Sequence, residues 1–169
     1  MLNTNVFVTN LYKYTCGILN GEWLSLPMDE KKLQNKINTI LGNNEEYAIH
    51  DFENAPFEIS EYDNVFELNT IIEELNNYDS EIIEAVNEVT NDIEQTKNII
   101  INNNFYYVKD VRTSEELALK VDTHLLPFDY ESIVNAGANL YLDWEQIGDA
   151  MICNENWYIA SNNIAVLIG

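Results

Sequence analysis

Basic residues are what this chain has least of for its size. Lys and Arg number 8 against 29 Asp and Glu, a formal net charge of −21 over 169 residues. So few cations exclude DNA or RNA as a direct ligand, because phosphate binding depends on Lys and Arg displacing counterions. They point instead to a basic partner or to a need for solubility. Cysteine is almost missing as well. Cys16 and Cys153 stand far apart, which suggests neither a disulfide framework nor a Cys-rich metal site, and free thiols in a cytosol are expected. With only 6 glycines the chain has no Gly-rich phosphate loop, and it has no Gly-x-Ser-x-Gly, His-Glu-x-x-His or EF-hand pattern. No run of about 18 apolar residues could span a membrane. Met1 to Asn10 lacks a basic n-region, so no signal peptide is expected.

What is present is acid, and it is concentrated. Ile37 to Thr96 contains no Lys or Arg, yet it holds more than half of the acidic residues. The acids are interleaved with apolar residues at helical spacing, which distinguishes the stretch from a disordered acidic tail. Val65, Leu68, Ile71, Ile72 and Leu75 share one helix face while Glu67 and Glu74 lie seven apart on another. From Ser80, Ile82, Ile83, Val86, Val89 and Ile93 share a face, and Glu81, Glu84, Glu88 and Asp92 form a carboxylate stripe. Neighbouring acids on such a stripe sit about 5–6 Å apart, and each like-charge pair costs roughly 0.2–0.5 kcal/mol of helix stability. No cation within the stretch offsets that cost.

The rest of the chain reads as mixed structure. Val6–Val8 and Glu22–Leu26 are strand-like, and Pro27 closes the second. Asp29 caps a helix through Leu33, Ile37, Ile40 and Leu41 that Gly42 ends. Lys31, Lys32 and Lys36 on that helix form the one basic cluster, read as a solvated face pairing with local acids. Tyr47–Phe52 is a third strand, and Pro56–Ile59 an extended segment before a turn. Asn64 with Glu67 and Asn91 with Glu94 are both capping-box signatures. The pattern from Ser80 is therefore either one helix or two with a break near Thr90. Phe105–Val111 is a strand candidate, Thr113 with Glu116 starts a helix to about Asp122, and a short helix covers Tyr130–Val134. Asp143 caps a helix with Trp144, Ile147 and Met151 facing inward, and Trp157–Ala160 with Ile164–Ile168 form a hairpin. The fold class expected is α+β, an elongated chain of three small domains. These are an N-terminal α+β domain (1–62), a central acidic helical domain (63–102) and a C-terminal α+β domain (103–169).

Catalytic material is thin. His50, beside Asp51 on a strand, reads as structural rather than as a base or ligand, since adjacent strand residues point to opposite faces. Carboxylate pairs are so numerous that no one pair signals hydrolysis, although a hydrolase with an acidic pair is a rival reading. No cofactor, dedicated metal site or enzymatic activity is expected. The charge itself is the better candidate for function. DNA carries a negative charge every ~1.7 Å along its axis, and ordered carboxylates present a coarser form of that field. The partner-binding candidates are Glu67, Glu73, Glu74, Glu81, Glu84, Glu88, Asp92 and Glu94, with Glu45, Glu46, Glu53, Glu58 and Glu61 extending the surface. A general acidic inhibitor or adaptor for some other basic nucleic-acid-binding protein is the alternative.

The order of residues adds a resemblance. Glu46-Tyr47-Ala48-Ile49-His50-Asp51-Phe52-Glu53, then Pro56, Phe57, Glu61, Tyr62, Glu67, Leu68 and Asn69, resembles the ArdA antirestriction family. Asn10, Leu11, Lys13, Tyr14, Gly17, Leu19, Gly21, Trp23 and Pro27 look like that family's first block. Tyr141, Leu142, Asp143, Trp144, Glu145, Gly148 and Asp149 are similar to its last. The resemblance implies an elongated dimer of three-domain subunits, joined through the C-terminal domain, that imitates bent B-form DNA. It implies occupation of the DNA-binding groove of type I restriction-modification enzymes in a bacterial cytoplasm, in the service of mobile elements. One departure stands out: Asp149, Ala150 and Met151 follow Gly148 where the family commonly carries Arg-Asp-Leu.

Overall fold

A computed structural model describes residues 2–169, and the chain divides into two compact units that meet in sequence at Ser80 and Glu81. Among the described residues there are eight α-helices and two small antiparallel sheets. The mixed α and β content expected from the sequence is therefore present.

The first unit is built on β1 (Thr4–Asn10), β2 (Gly21–Leu26) and β3 (Tyr47–Glu53), ordered β2-β1-β3 with both pairings antiparallel. Its helices are α1 (Leu11–Thr15), α2 (Glu30–Leu41) and α3 (Val65–Leu75). Strand alternation buries Thr4, Val6 and Val8 on one side and leaves Asn5 and Phe7 half-buried. The α2 helix lies against β1 and α3 against β2. They bring Leu33, Ile37 and Ile40, and Val65, Leu68, Ile71, Ile72 and Leu75, out of water. Each such side chain stabilises the fold by roughly 1.5–3 kcal/mol when fully buried.

Two buried asparagines fix the connections. Asn69 accepts from the Met28 N–H at 2.8 Å and donates to its carbonyl at 3.0 Å, clamping α3 to the segment after β2. The Asn10 amide donates to the carbonyls of Ile40 and Leu41 at 3.2 and 2.8 Å, supplying partners that the end of α2 would otherwise lack. Asp29 caps α2 as its sequence predicts, accepting from Lys32 N–H at 3.0 Å, and Gly42 ends it at φ 60°. Pro56–Ile59 joins no sheet.

The second unit contains α4 (Ser80–Thr90), α5 (Ile93–Ile101), β4 (Phe105–Val108), α6 (Ser114–Lys120), α7 (Tyr130–Asn135), α8 (Trp144–Asn154), β5 (Tyr158–Ile159) and β6 (Ala165–Ile168). Two helices rather than one follow Ser80. Asn91 sits at φ 50° between them, and Asp92, not Asn91, caps the second, accepting from Gln95 N–H at 2.7 Å. Thr96 is fully buried beneath the break, its hydroxyl 2.7 Å from that of Thr90. The sheet runs β4-β6-β5, so the C-terminal hairpin is present with a two-residue first strand. The strand expected to reach Val111 stops at Val108, because Asp110 turns left-handed at φ 59° and delivers Val111 into the core. Trp157, Met151, Leu117 and Val111 centre that core. There α6 and α8 cross so closely that a Cβ on Gly148 would lie 1.8 Å from the Ser114 carbonyl oxygen.

Candidate functional site

The amphipathic pattern decides where the carboxylates go. Helices that bury one face carry the opposite face into water, which exposes Glu67, Glu73, Glu74, Glu81, Glu84 and Glu94; Glu45, Glu46, Glu53, Glu58 and Glu61, outside the helices, and Asp92, the α5 cap, are exposed as well, twelve of the thirteen candidates. Glu88 is half-buried. They differ in what they touch. The side chains of Glu45, Glu46, Glu53, Glu58, Glu73 and Glu84 make no hydrogen bond or ion pair among the described residues. Glu67 accepts from Asn64 Nδ2 at 3.3 Å, and Glu61 Oε1 lies 3.5 Å from His50 Nε2. Glu73 lines an open cavity of about 400 Å³ with Asp29, Glu30, Phe66, Asn69 and Thr70.

Cations from outside the acidic stretch do reach it, contrary to the sequence expectation of an uncompensated stripe. Lys109 lies 3.3 Å from Glu81, and Lys97 lies 2.6 Å from Glu94. Asp92 leaves the stripe to become the α5 cap. Glu88 is tied to the β5–β6 hairpin: it accepts from the Tyr158 hydroxyl at 2.8 Å, the Ser161 N–H at 3.0 Å and the Ser161 hydroxyl at 2.8 Å. Partial desolvation disfavours its charge, but the Ser161 N–H, the Ser161 hydroxyl and the Tyr158 hydroxyl together outweigh it and hold the carboxyl below its ordinary pKa. The same bond to Glu88, with smaller contributions from burial and Coulomb repulsion, pushes the Tyr158 hydroxyl up. Nothing local in the sequence announces this tie, since its partners are 70 and 73 residues away from Glu88.

The basic cluster behaves as a helix face: Lys36 pairs with Glu22, and Lys31 and Lys32 are exposed. His50 is packed edge-on against Tyr14 with ring centroids 4.1 Å apart. Among the described residues no three His, Cys, Asp or Glu side chains gather as metal ligands would. No helix among them is long and apolar enough to cross a membrane.

What the geometry offers is thus a set of exposed negative charges, some engaged within the fold and some not. None of the curated proteins compared matches the chain. The family of antirestriction proteins described as "Antirestriction protein (ArdA)" does match, over residues 6–165. That match covers nearly the whole of both units, so the chain belongs to the ArdA family of antirestriction proteins.

Proposed function

We propose that this chain acts without catalysis, by placing its exposed carboxylates in the DNA-binding groove of a type I restriction-modification enzyme and so excluding DNA. Antirestriction, directed at restriction-modification enzymes, follows from the family; DNA mimicry and the groove are our reading of how it is achieved. The observation that carries it is the exposure of acids that nothing in the fold uses: Glu45, Glu46, Glu53, Glu58, Glu73 and Glu84. Exposed like charges bring no stability to the fold and raise its self-repulsion. A groove lined with Lys and Arg would take such a surface by the field it presents, and association would be steered and salt-dependent. We extend the proposal to a three-part organisation, 1–62, 63–102 and 103–169, to pairing of two copies through the last part, and to action in the cytoplasm of a bacterium receiving a mobile element.

The test is direct. A type I methyltransferase core is loaded with labelled duplex DNA and the protein is titrated in, with its own affinity for the core measured separately at several salt concentrations. Stoichiometric release of DNA, with affinity falling as salt rises, is the expected result. A complex holding DNA and protein together, or salt-indifferent binding, would overturn the reading. Retention of other basic proteins but not the methyltransferase core would favour the general acidic binder instead.

A further inference from the structure

The acids are not spread evenly, and the place they avoid is informative. The first acidic residue of the chain is Glu22. Within the acid-free segment, α1 and the turn after it expose Tyr12 (63 %), Ile18 (57 %) and Leu19 (71 %) to solvent, with Tyr14 half out of it. Large apolar side chains so exposed within eight residues are not scattered single hydrophobes, and contiguous patches rimmed by polar groups mark protein contact sites.

The knuckle is also held rigid. Asn10 caps α1 through Lys13 N–H at 3.0 Å. Ile18 N–H donates to the Lys13 carbonyl at 2.9 Å and Gly17 N–H to that of Tyr14 at 2.8 Å, with Gly17 itself at φ 77° where other residues would be strained. A surface fixed before binding loses little entropy on docking.

Two of the candidate acids, Glu46 and Glu61, adjoin it. Leu11 N–H donates to the Glu46 carbonyl at 3.1 Å, and the Tyr14 ring rests on His50, whose Nε2 is 3.5 Å from Glu61. Tyr14, His50, Phe52, Ile59 and Glu61 line a cleft of about 370 Å³ beside the knuckle. Asp51 lines it too, so two carboxylates face the cleft, and buried His50 Nε2 makes no hydrogen bond there with the described residues.

From this continuity we infer that the Tyr12–Leu19 knuckle is a salt-independent apolar anchor for the same basic enzyme that the carboxylates of the first unit attract. The inference rests on the proposed function and adds a second kind of contact to it. Charge brings the partner in and sets the salt dependence; the knuckle buries apolar surface and slows departure, as interface anchors of Tyr type do.

The experiment compares the full chain with the triple variant Tyr12→Ser, Ile18→Ser, Leu19→Ser in binding to a purified type I methyltransferase core. Affinity is measured from about 50 to about 300 mM NaCl, with thermal unfolding and sedimentation of each protein alongside. The expected result is an unchanged fold and sedimentation coefficient, and affinity lower by about tenfold at every salt, so that the log–log slope is unaltered. Affinity equal to the parent's, or a deficit that disappears as salt rises, overturns the anchor while a salt-sensitive parent complex leaves the proposed function standing. A triple variant that sediments as a smaller species overturns it differently, by making the knuckle a contact between two copies. If the parent itself fails to bind the core, the proposed function falls and the anchor falls with it. Tyr12→Phe, which keeps the apolar ring, is expected to bind as the parent does.

Discussion

Glu73 on α3 of the first unit and Glu88 on α4 of the second hold equivalent places in the sequence pattern, each on the charged face of an amphipathic helix. Their fates are opposite. Glu73 is exposed and its side chain bonds to nothing among the described residues, whereas Glu88 takes three donors from the β5–β6 hairpin. The contrast extends to their neighbours. In the first unit Glu45, Glu46, Glu53 and Glu58 are likewise unengaged; in the second, Glu81 faces Lys109, Glu94 faces Lys97, Asp92 caps α5, and only Glu84 is left. A carboxylate that holds a fold together has its charge already partly answered, so it contributes less to an external field. Among the candidate acids the unengaged ones lie mostly in the first unit, while the second exposes further acids outside that set, Glu115, Asp122, Glu131, Glu145, Asp149 and Glu155.

The largest effect we expect concerns the fold of the second unit alone. Gly148→Ala places a methyl where the Ser114 carbonyl oxygen already stands, at 1.8 Å, and backbone cannot retreat as a flexible side chain could. A loss of about 3 kcal/mol or more is expected, with amide-exchange protection falling in the second unit while the β1–β3 sheet of the first keeps its own. Protection lost equally in both would erase the distinction between the units.

Next comes the field. Replacing Glu45, Glu46, Glu53, Glu58 and Glu73 together by Gln removes five unengaged charges. At about 0.4 kcal/mol for each exposed charge this costs about 2 kcal/mol of partner affinity, roughly thirtyfold. Thermal stability should hold or rise, because like-charge repulsion is relieved. Unchanged affinity would remove the first unit from the binding surface.

Glu88→Gln should do the reverse. Hydrogen bonds to a charged group contribute about 1.5–3 kcal/mol, reduced here by solvent screening to about 1–2. For a unit of this size that lowers the melting temperature by roughly 4–8 °C per kcal/mol, with affinity changed by less than about twofold. A large affinity loss at unchanged stability would return Glu88 to the binding surface.

The smallest effect is in pH. The Glu88 carboxyl is held below its ordinary value of 4.5, so its stabilising contribution is present above that value and is lost as pH falls through the lowered folded pKa. Tyr158 is raised above its ordinary 10.0, so its contribution is present below that value and lost as pH rises through the raised one. Denaturation midpoints between about pH 5 and pH 3 should accordingly fall more steeply for the parent than for Glu88→Gln. Parallel curves would mean the bonds to Tyr158 and Ser161 do not persist in solution.

Local patterns carried most of the architecture into the sequence. Asp29, Thr113 and Asp143 cap the helices that their positions announce, and Leu33, Ile37 and Ile40 or Leu68, Ile71 and Ile72 are buried at the spacing that groups them. What stayed hidden depends on residues distant in sequence or on left-handed backbone. Asp92 displaces Asn91 as cap because Asn91 takes φ 50°, and Asp110 ends β4 early by the same device. For the candidate surface, exposure of the acids on α3, α4 and α5 was legible from amphipathicity. Which of them are engaged was not, since the groups that answer Glu81 and Glu88, Lys109, Tyr158 and Ser161, come from 28 to 73 residues further along the chain.

In the proposed function, exposed carboxylates stand in for phosphates, those of the first unit among them. The sharpest test of this is the salt dependence of binding to a type I methyltransferase core, measured for the parent and for the five-fold Gln variant. The log–log slope should be negative for the parent and clearly shallower for the variant, with both proteins competing with duplex DNA for the same stoichiometric site. Equal slopes, or occupation of the core by DNA and protein at once, would contradict it.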